Sequence, residues 1–183
     1  MERELGRSKI LQRKMQEVEM MPYILTSRLD DQAQNFFESM RNAYFPVGRN
    51  QVPAHLMLFH QLPYEPDTLS YMETIRSEVF AAEVTRLFFL GNGVAYAVES
   101  EQLNALHTTI KKHFHHVLIP QDLQGYRPHI TVQNKVSPQT ARDTMAMLLK
   151  DFEPFTMDIL GMDLWRYLGG KWDWKAFYPF DKL

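Results

Sequence analysis

The chain has 183 residues, 45% hydrophobic and 13% aromatic, enough for one ordinary domain or two small lobes and too apolar for general disorder. Its 20 basic side chains face 22 acidic ones, a formal charge of −2 that argues against coating long duplex nucleic acid but leaves room for one phosphate in a local pocket. Cysteine is absent, which excludes disulfides, thiolate zinc sites, iron–sulfur clusters and cysteine nucleophiles together.

Residues 1–20 carry dispersed charge and one narrow apolar stripe (Leu11, Met15, Val18), and read as an extension that is either a frayed helix or a disordered arm. They lack the apolar block of a signal peptide, and no run approaches the roughly 20 apolar residues that span a bilayer. A cytoplasmic protein without a membrane partner is expected. The sequence is silent on oligomeric state.

Residues 21–183 read as a single unit. Tyr23–Leu29 predicts a first strand, followed by a helix capped by Asp30 or Asp31 that carries Phe36, Phe37, Met40 and Tyr44 and ends at Pro46 and Gly48. Ala54–Leu62 is a second strand stopped by Pro63. Pro66-Asp67 opens a helix bearing Leu69, Met72, Ile75 and Val79. Thr85–Leu90 and Val94–Glu99 flank Gly91-Asn92-Gly93, the clearest hairpin signal in the chain. Ser100 caps a helix with Leu103, Leu106 and Ile110 that runs to about His116, and Pro120 to Gly125 is a loop. His129–Lys135 is a strand, Pro138 starts a helix through Met145 and Leu149, and Phe155–Leu168 is one long strand or two shorter ones. Gly169-Gly170 turns into the aromatic tail KWDWKAFYPF. The order β-α-β-α-ββ-α-β-α-β predicts an α+β fold with largely antiparallel pairing.

Seven histidines offer chemistry. Three crowd into KKHFHH at a helix C-terminus, where positive imidazole is mildly favourable, so a solvated helix end is the plain explanation. A metallohydrolase using His113 and His116 is the weaker alternative. His55 and His129 differ in kind, because each opens a strand behind a proline-directed approach, Pro53-Ala54 and Pro128. Side chains alternate along a strand, so His55 shares a face with Met57, and His129 with Thr131. Leu56, Leu58, Ile130 and Val132 are left for a core. The same alternation puts His60 opposite His55, in a structural role.

The pair His55-Leu56-Met57-Leu58 and His129-Ile130-Thr131-Val132 resembles the doubled H-x-[ST]-hydrophobic signature of the 2H phosphoesterase superfamily, nearest its bacterial 2′-5′ RNA ligase branch. The resemblance extends over Pro22 to Phe180, through the approach Tyr126-Arg127-Pro128 to Lys135 and the closing Leu164-Trp165-Arg166-Tyr167-Leu168-Gly169-Gly170 with Trp172. It implies a bilobal α+β fold, with two mainly antiparallel sheets facing each other across a cleft and helices outside. It also implies metal-independent, cofactor-free cleavage of 2′,3′-cyclic or 2′-5′-linked phosphoesters at a small nucleotide or RNA terminus.

Displacement at phosphorus needs a base on the entering oxygen and an acid on the leaving one, and two imidazoles on opposite walls supply both. The expected roles in hydrolysis are base for His129 and acid for His55, reversed in ligation, with Thr131 holding a phosphoryl oxygen. Met57 stands where the pattern has a hydroxyl, and a thioether cannot donate. Water, Tyr126 or Arg127 would have to make that contact. Arg127 and Lys135 are candidate phosphate cations, and Trp165 and Tyr167 candidate stacking surfaces. A nucleotide- or RNA-end-binding module with weak catalysis is the competing reading, and Met57 is the residue that favours it.

Overall fold

The computed structural model describes residues 21–182, so the expected helix or arm over residues 1–20 lies outside the described residues. The elements run β1 (Tyr23–Leu29), α1 (Asp31–Tyr44), β2 (Leu56–Leu62), α2 (Pro66–Thr74), β3 (Phe80–Phe89), β4 (Val94–Glu99), α3 (Glu101–Phe114), α4 (Pro120–Leu123), β5 (His129–Gln133), α5 (Pro138–Leu148), β6 (Phe155–Tyr167) and β7 (Trp172–Pro179). The fold is α+β, and all named strand pairings are antiparallel.

The strands form one seven-stranded sheet in the order β2-β1-β6-β3-β4-β5, with β7 also paired to β6. The two expected sheets are therefore two halves of one curled sheet, joined through β6. The first part of β6, Phe155–Ile159, pairs with β3, and from Ile159 to Arg166 the strand pairs with β1. β7 takes the β3 side of β6 from Gly161 onward. At that change of partner a side chain has no room, since a Cβ on Gly161 (φ 155°) would lie 2.4 Å from the Tyr178 carbonyl oxygen. Asp30 fastens α1 to the same strand, accepting from Ala33 N as its N-cap and from Asp158 N on β6.

One face of the sheet carries the core, including Leu25, Leu56, Phe59, Tyr96, Ile130, Val132 and Leu164, closed by Phe37 of α1 and by Leu103 and Ile110 of α3. Several expected boundaries move for tertiary reasons. α2 stops at Thr74 instead of reaching Val79, because Val79 N donates to Asp181 O and Glu78 bridges Asp181, drawing that segment into the sheet. β3 accordingly starts at Phe80, five residues before the expected Thr85. The loop at Pro120 to Gly125 contains the single turn α4. The aromatic tail is a full strand, β7. No helix among the described residues is long and apolar enough to cross a membrane.

Candidate active site

β2 and β5 end the two halves of the curled sheet, and the sheet's curl brings them together. A side chain outside both strands ties the segment leading into β2 to β5. Arg41, 3% exposed in α1, donates from Nε to Asn50 Oδ1, from Nη2 to the Val52 carbonyl and from Nη1 to the Thr131 carbonyl. Its guanidinium lies over the Phe45 ring at 4.1 Å. A second tie runs from the Tyr126 hydroxyl to the Met57 carbonyl at 2.9 Å. Arg41 thus anchors the approach to His55 and the strand that carries His129 to one point.

The two histidines are held alike. His55 Nδ1 lies 2.8 Å from the Pro53 carbonyl, and His129 Nδ1 lies 2.7 Å from the Arg127 carbonyl. A carbonyl oxygen only accepts, so Nδ1 carries the hydrogen in both rings, and Nε2 is the nitrogen left to gain or lose a proton. Neither Nε2 has a hydrogen-bond partner among the described residues. Each ring turns back on the backbone two residues before it, so one local geometry occurs twice. Ala97 and Ala95 stand opposite His129 and Thr131 in the ladder and leave their face uncrowded.

The environments of the two rings differ. His55 is half-buried, with its centroid 4.6 Å from that of Trp172. Burial pushes its pKa down to about 4, with Arg41, His129 and His60 adding to the fall and the Pro53 carbonyl opposing it. His129 meets Phe88 edge-on at 5.5 Å.

His60 departs from its expected place. Thr26 pairs with Met57, but Leu25 pairs with Phe59, so one extra residue bulges out of β2 between them. The bulge reverses the alternation. Phe59 turns to the core face, fully buried, and His60 joins Met57 on the other. A cleft of about 220 Å³ is lined by Met57, His60, Gln121, Tyr126, Arg127 and His129, among others. Asp122, nearly fully buried, accepts from His60 N, Gln61 N and the His60 ring at 2.8 Å. Burial would raise its pKa, but these donors hold it below the usual carboxylate value.

The other expected residues scatter. Thr131 is half-buried beside His129, and its Oγ1 has no partner among the described residues. Met57 and Arg127 line the cleft, whereas the Tyr126 hydroxyl is already committed to Met57 and cannot replace a missing phosphate donor. Lys135 is displaced: β5 ends at Gln133, so strand parity does not reach it, and it sits with φ 62° in the turn that bonds Val136 to Asn92. Trp165 is half-buried and donates to Thr26 Oγ1, while Tyr167 is exposed at the end of β6. His113 stacks on Tyr71 at 3.5 Å, and among the described residues no three His, Cys, Asp or Glu side chains converge as metal ligands would.

A buried histidine lies in the wall of the cleft. His107 is stacked between Phe59 (4.6 Å) and Tyr126 (3.9 Å), and burial pushes it down to about 4, with Lys111 assisting and Asp122 opposing. His55 and His107 both fall from 6.5, so between 6.5 and about 4 the unfolded chain binds more protons than the folded one. Their contribution is full above pH 6.5 and is lost as pH falls towards 4, by up to about 3 kcal/mol each. Unfolding midpoints should drop across that window, and His107→Phe should shrink the drop. An unchanged pH dependence in the variant would contradict this.

Comparison with known proteins adds three findings. A model of the 2′-5′ RNA ligase superfamily matches residues 29–171. No curated protein matches the chain. Similar solved structures include TT0787 of Thermus thermophilus, with TM-score 0.64 and 16% identity over 87% of this chain and 97% of that one. E. coli LigT complexed with 3′-AMP gives TM-score 0.58 and 15% identity, covering 88% and 98% of the two chains. A structure described as a phosphoesterase gives 0.57 and 13%, covering 88% and 99%. At these identities the likeness is one of fold.

Proposed function

The chain belongs to the 2′-5′ RNA ligase superfamily, which supports a phosphoesterase-type function, and from that premise we propose a metal-independent phosphodiesterase. It acts on 2′,3′-cyclic or 2′-5′-linked phosphoesters of a nucleotide or RNA terminus, and the same machinery run backwards is a ligation. The observation that carries this reading is the repeated tie of Nδ1 to the carbonyl two residues back, which leaves Nε2 of each ring as the nitrogen that can exchange a proton. E. coli LigT in complex with 3′-AMP is a nucleotide-bound protein of the same fold and is in keeping with it.

In hydrolysis of a cyclic phosphate, water attacks phosphorus while one Nε2 takes its proton. The bond to one ribose oxygen breaks, and the other Nε2–H protonates that oxygen, leaving a phosphomonoester. The half-buried His55, with its depressed pKa, is neutral at pH 7 and takes the part of base, which leaves the acid to His129. This reverses the roles expected from the sequence, where burial was invisible. Thr131 Oγ1 donates to a non-bridging oxygen, and Arg127 contributes charge at the cleft wall.

The test is turnover of nucleoside 2′,3′-cyclic monophosphates with and without a chelator. Chelator-resistant hydrolysis is expected, and binding without turnover would instead support the nucleotide-binding module. Met57 favours that second reading, since one transition-state donor is missing and such a donor is worth on the order of 10²–10³ in rate. Met57→Thr should therefore fold normally and raise kcat. No gain would mean that another group already makes the contact.

A further inference from the structure

His60 and Asp122 have no part in the mechanism above, yet the bulge in β2 delivers His60 to the same cleft as His129. The hold of Asp122 on β2 is complete without the ring, because its two oxygens already accept from the backbone amides of His60 and Gln61. The imidazole is an addition to that tie. Its Nδ1 faces a carboxylate that only accepts, so Nδ1 carries the hydrogen and Nε2 is the edge turned away from Asp122. That edge meets the Gln121 amide at 3.1 Å, and the side chain is 41% exposed whereas that of Asp122 is 2% exposed. An amide can present either its NH2 or its oxygen, so Gln121 accommodates His60 in both protonation states.

The surroundings select the ligand. This end of the cleft presents Gln121, Gln124 and Arg127, and its one carboxylate is hidden behind the ring it orients. Arg127 makes no ion pair among the described residues. A protonated His60 with Asp122 is net neutral, so it contributes a directed N–H, and Arg127 supplies the attraction at longer range. Met57 lies between His55 and His60 in the chain and lines the cleft with His60 and His129, so a group held by His60 would sit beside a phosphate held at His129.

We propose that His60, oriented by Asp122, binds a second phosphate of the substrate, so that the preferred substrate is a nucleotide or RNA end bearing another phosphate next to the reacting one. This rests on the phosphodiesterase reading of the cleft. Calorimetric binding of adenosine 3′-phosphate and adenosine 3′,5′-bisphosphate tests it, in the unmodified protein, His60→Phe and His60→Lys, with unfolding midpoints as the check on folding. The unmodified protein should favour the bisphosphate by about tenfold or more, the value of one charge-assisted hydrogen bond. The ratio should fall to about one in His60→Phe and recover in His60→Lys. Equal affinities in the unmodified protein, or a preference that survives in a folded His60→Phe, would overturn the second-phosphate site and leave the phosphodiesterase reading standing. Failure of both nucleotides to bind would sink both.

Discussion

Replacing either His55 or His129 with alanine is expected to lower kcat for a 2′,3′-cyclic nucleotide by about 10²–10⁴-fold, the usual contribution of a positioned acid or base. The double variant should be scarcely slower than the worse single one, because acid and base act in the same displacement and their losses do not add. The unmodified enzyme should give a bell-shaped pH–rate curve whose two limbs belong to the coupled pair. The acidic limb reflects protonation of His55, whose free-state pKa of about 4 keeps it basic well below neutrality. Each single variant should lose one limb. His55 packs on Trp172, so unfolding midpoints are needed to separate lost chemistry from lost packing. Turnover within tenfold of the parent in a folded His129→Ala variant would contradict the paired roles.

Arg41→Met should lower stability by about 3–5 kcal/mol, although the replaced residue touches neither histidine by hydrogen bond. The side chain satisfies the Asn50 amide oxygen and the carbonyls of Val52 and Thr131. Methionine fills the volume but leaves three acceptors without their donors, at about 1–3 kcal/mol each when buried, offset in part by burying an apolar chain in place of a cation. Arg41→Lys should fall between, since one ammonium cannot span three acceptors in the geometry of a guanidinium.

A purely structural arginine would change stability alone. Arg41 also lowers the pKa of His55 by its charge, so in Arg41→Met the acidic limb of the pH–rate curve should move to higher pH. A stability change under 1 kcal/mol (about one ordinary hydrogen bond) together with an unmoved limb would show that neither the anchor nor the field operates.

Local signals carried much of this molecule. Capping residues at Asp30 and Ser100, prolines at the starts of two helices and the Gly-Asn-Gly hairpin placed most elements. The apolar alternation in β2 and β5 put Leu56 and Ile130 in the core. His55 and His129 stood out because each follows a directing proline at a strand start, and both prove to be tied back in the same way.

What stayed hidden depends on contacts between distant residues. The bulge that redirects His60 comes from pairing with β1, and nothing within Leu56–Leu62 announces it. Lys135 lost its place because a turn against Asn92 ends β5 early. Arg41 did leave a trace, being the charged member of a stripe with Ala33 and Phe37 at helical spacing, and all three are buried. A cation on an apolar stripe is a request for buried acceptors, and reading it so would have found the stitch. Trp172 belonged to the closing segment of the resemblance, but its place beside His55 was hidden, because the tail's identity as a strand depends on β6.

A crystal structure of the protein with adenosine 3′-phosphate bound would be the most direct measurement. The phosphate should lie between the strands, with one oxygen within hydrogen-bond distance of His55 Nε2, another within reach of His129 Nε2, and both Nδ1 atoms still on the carbonyls of Pro53 and Arg127. A phosphate seated elsewhere, or one that touches a single imidazole while the other ring faces away, would contradict the account.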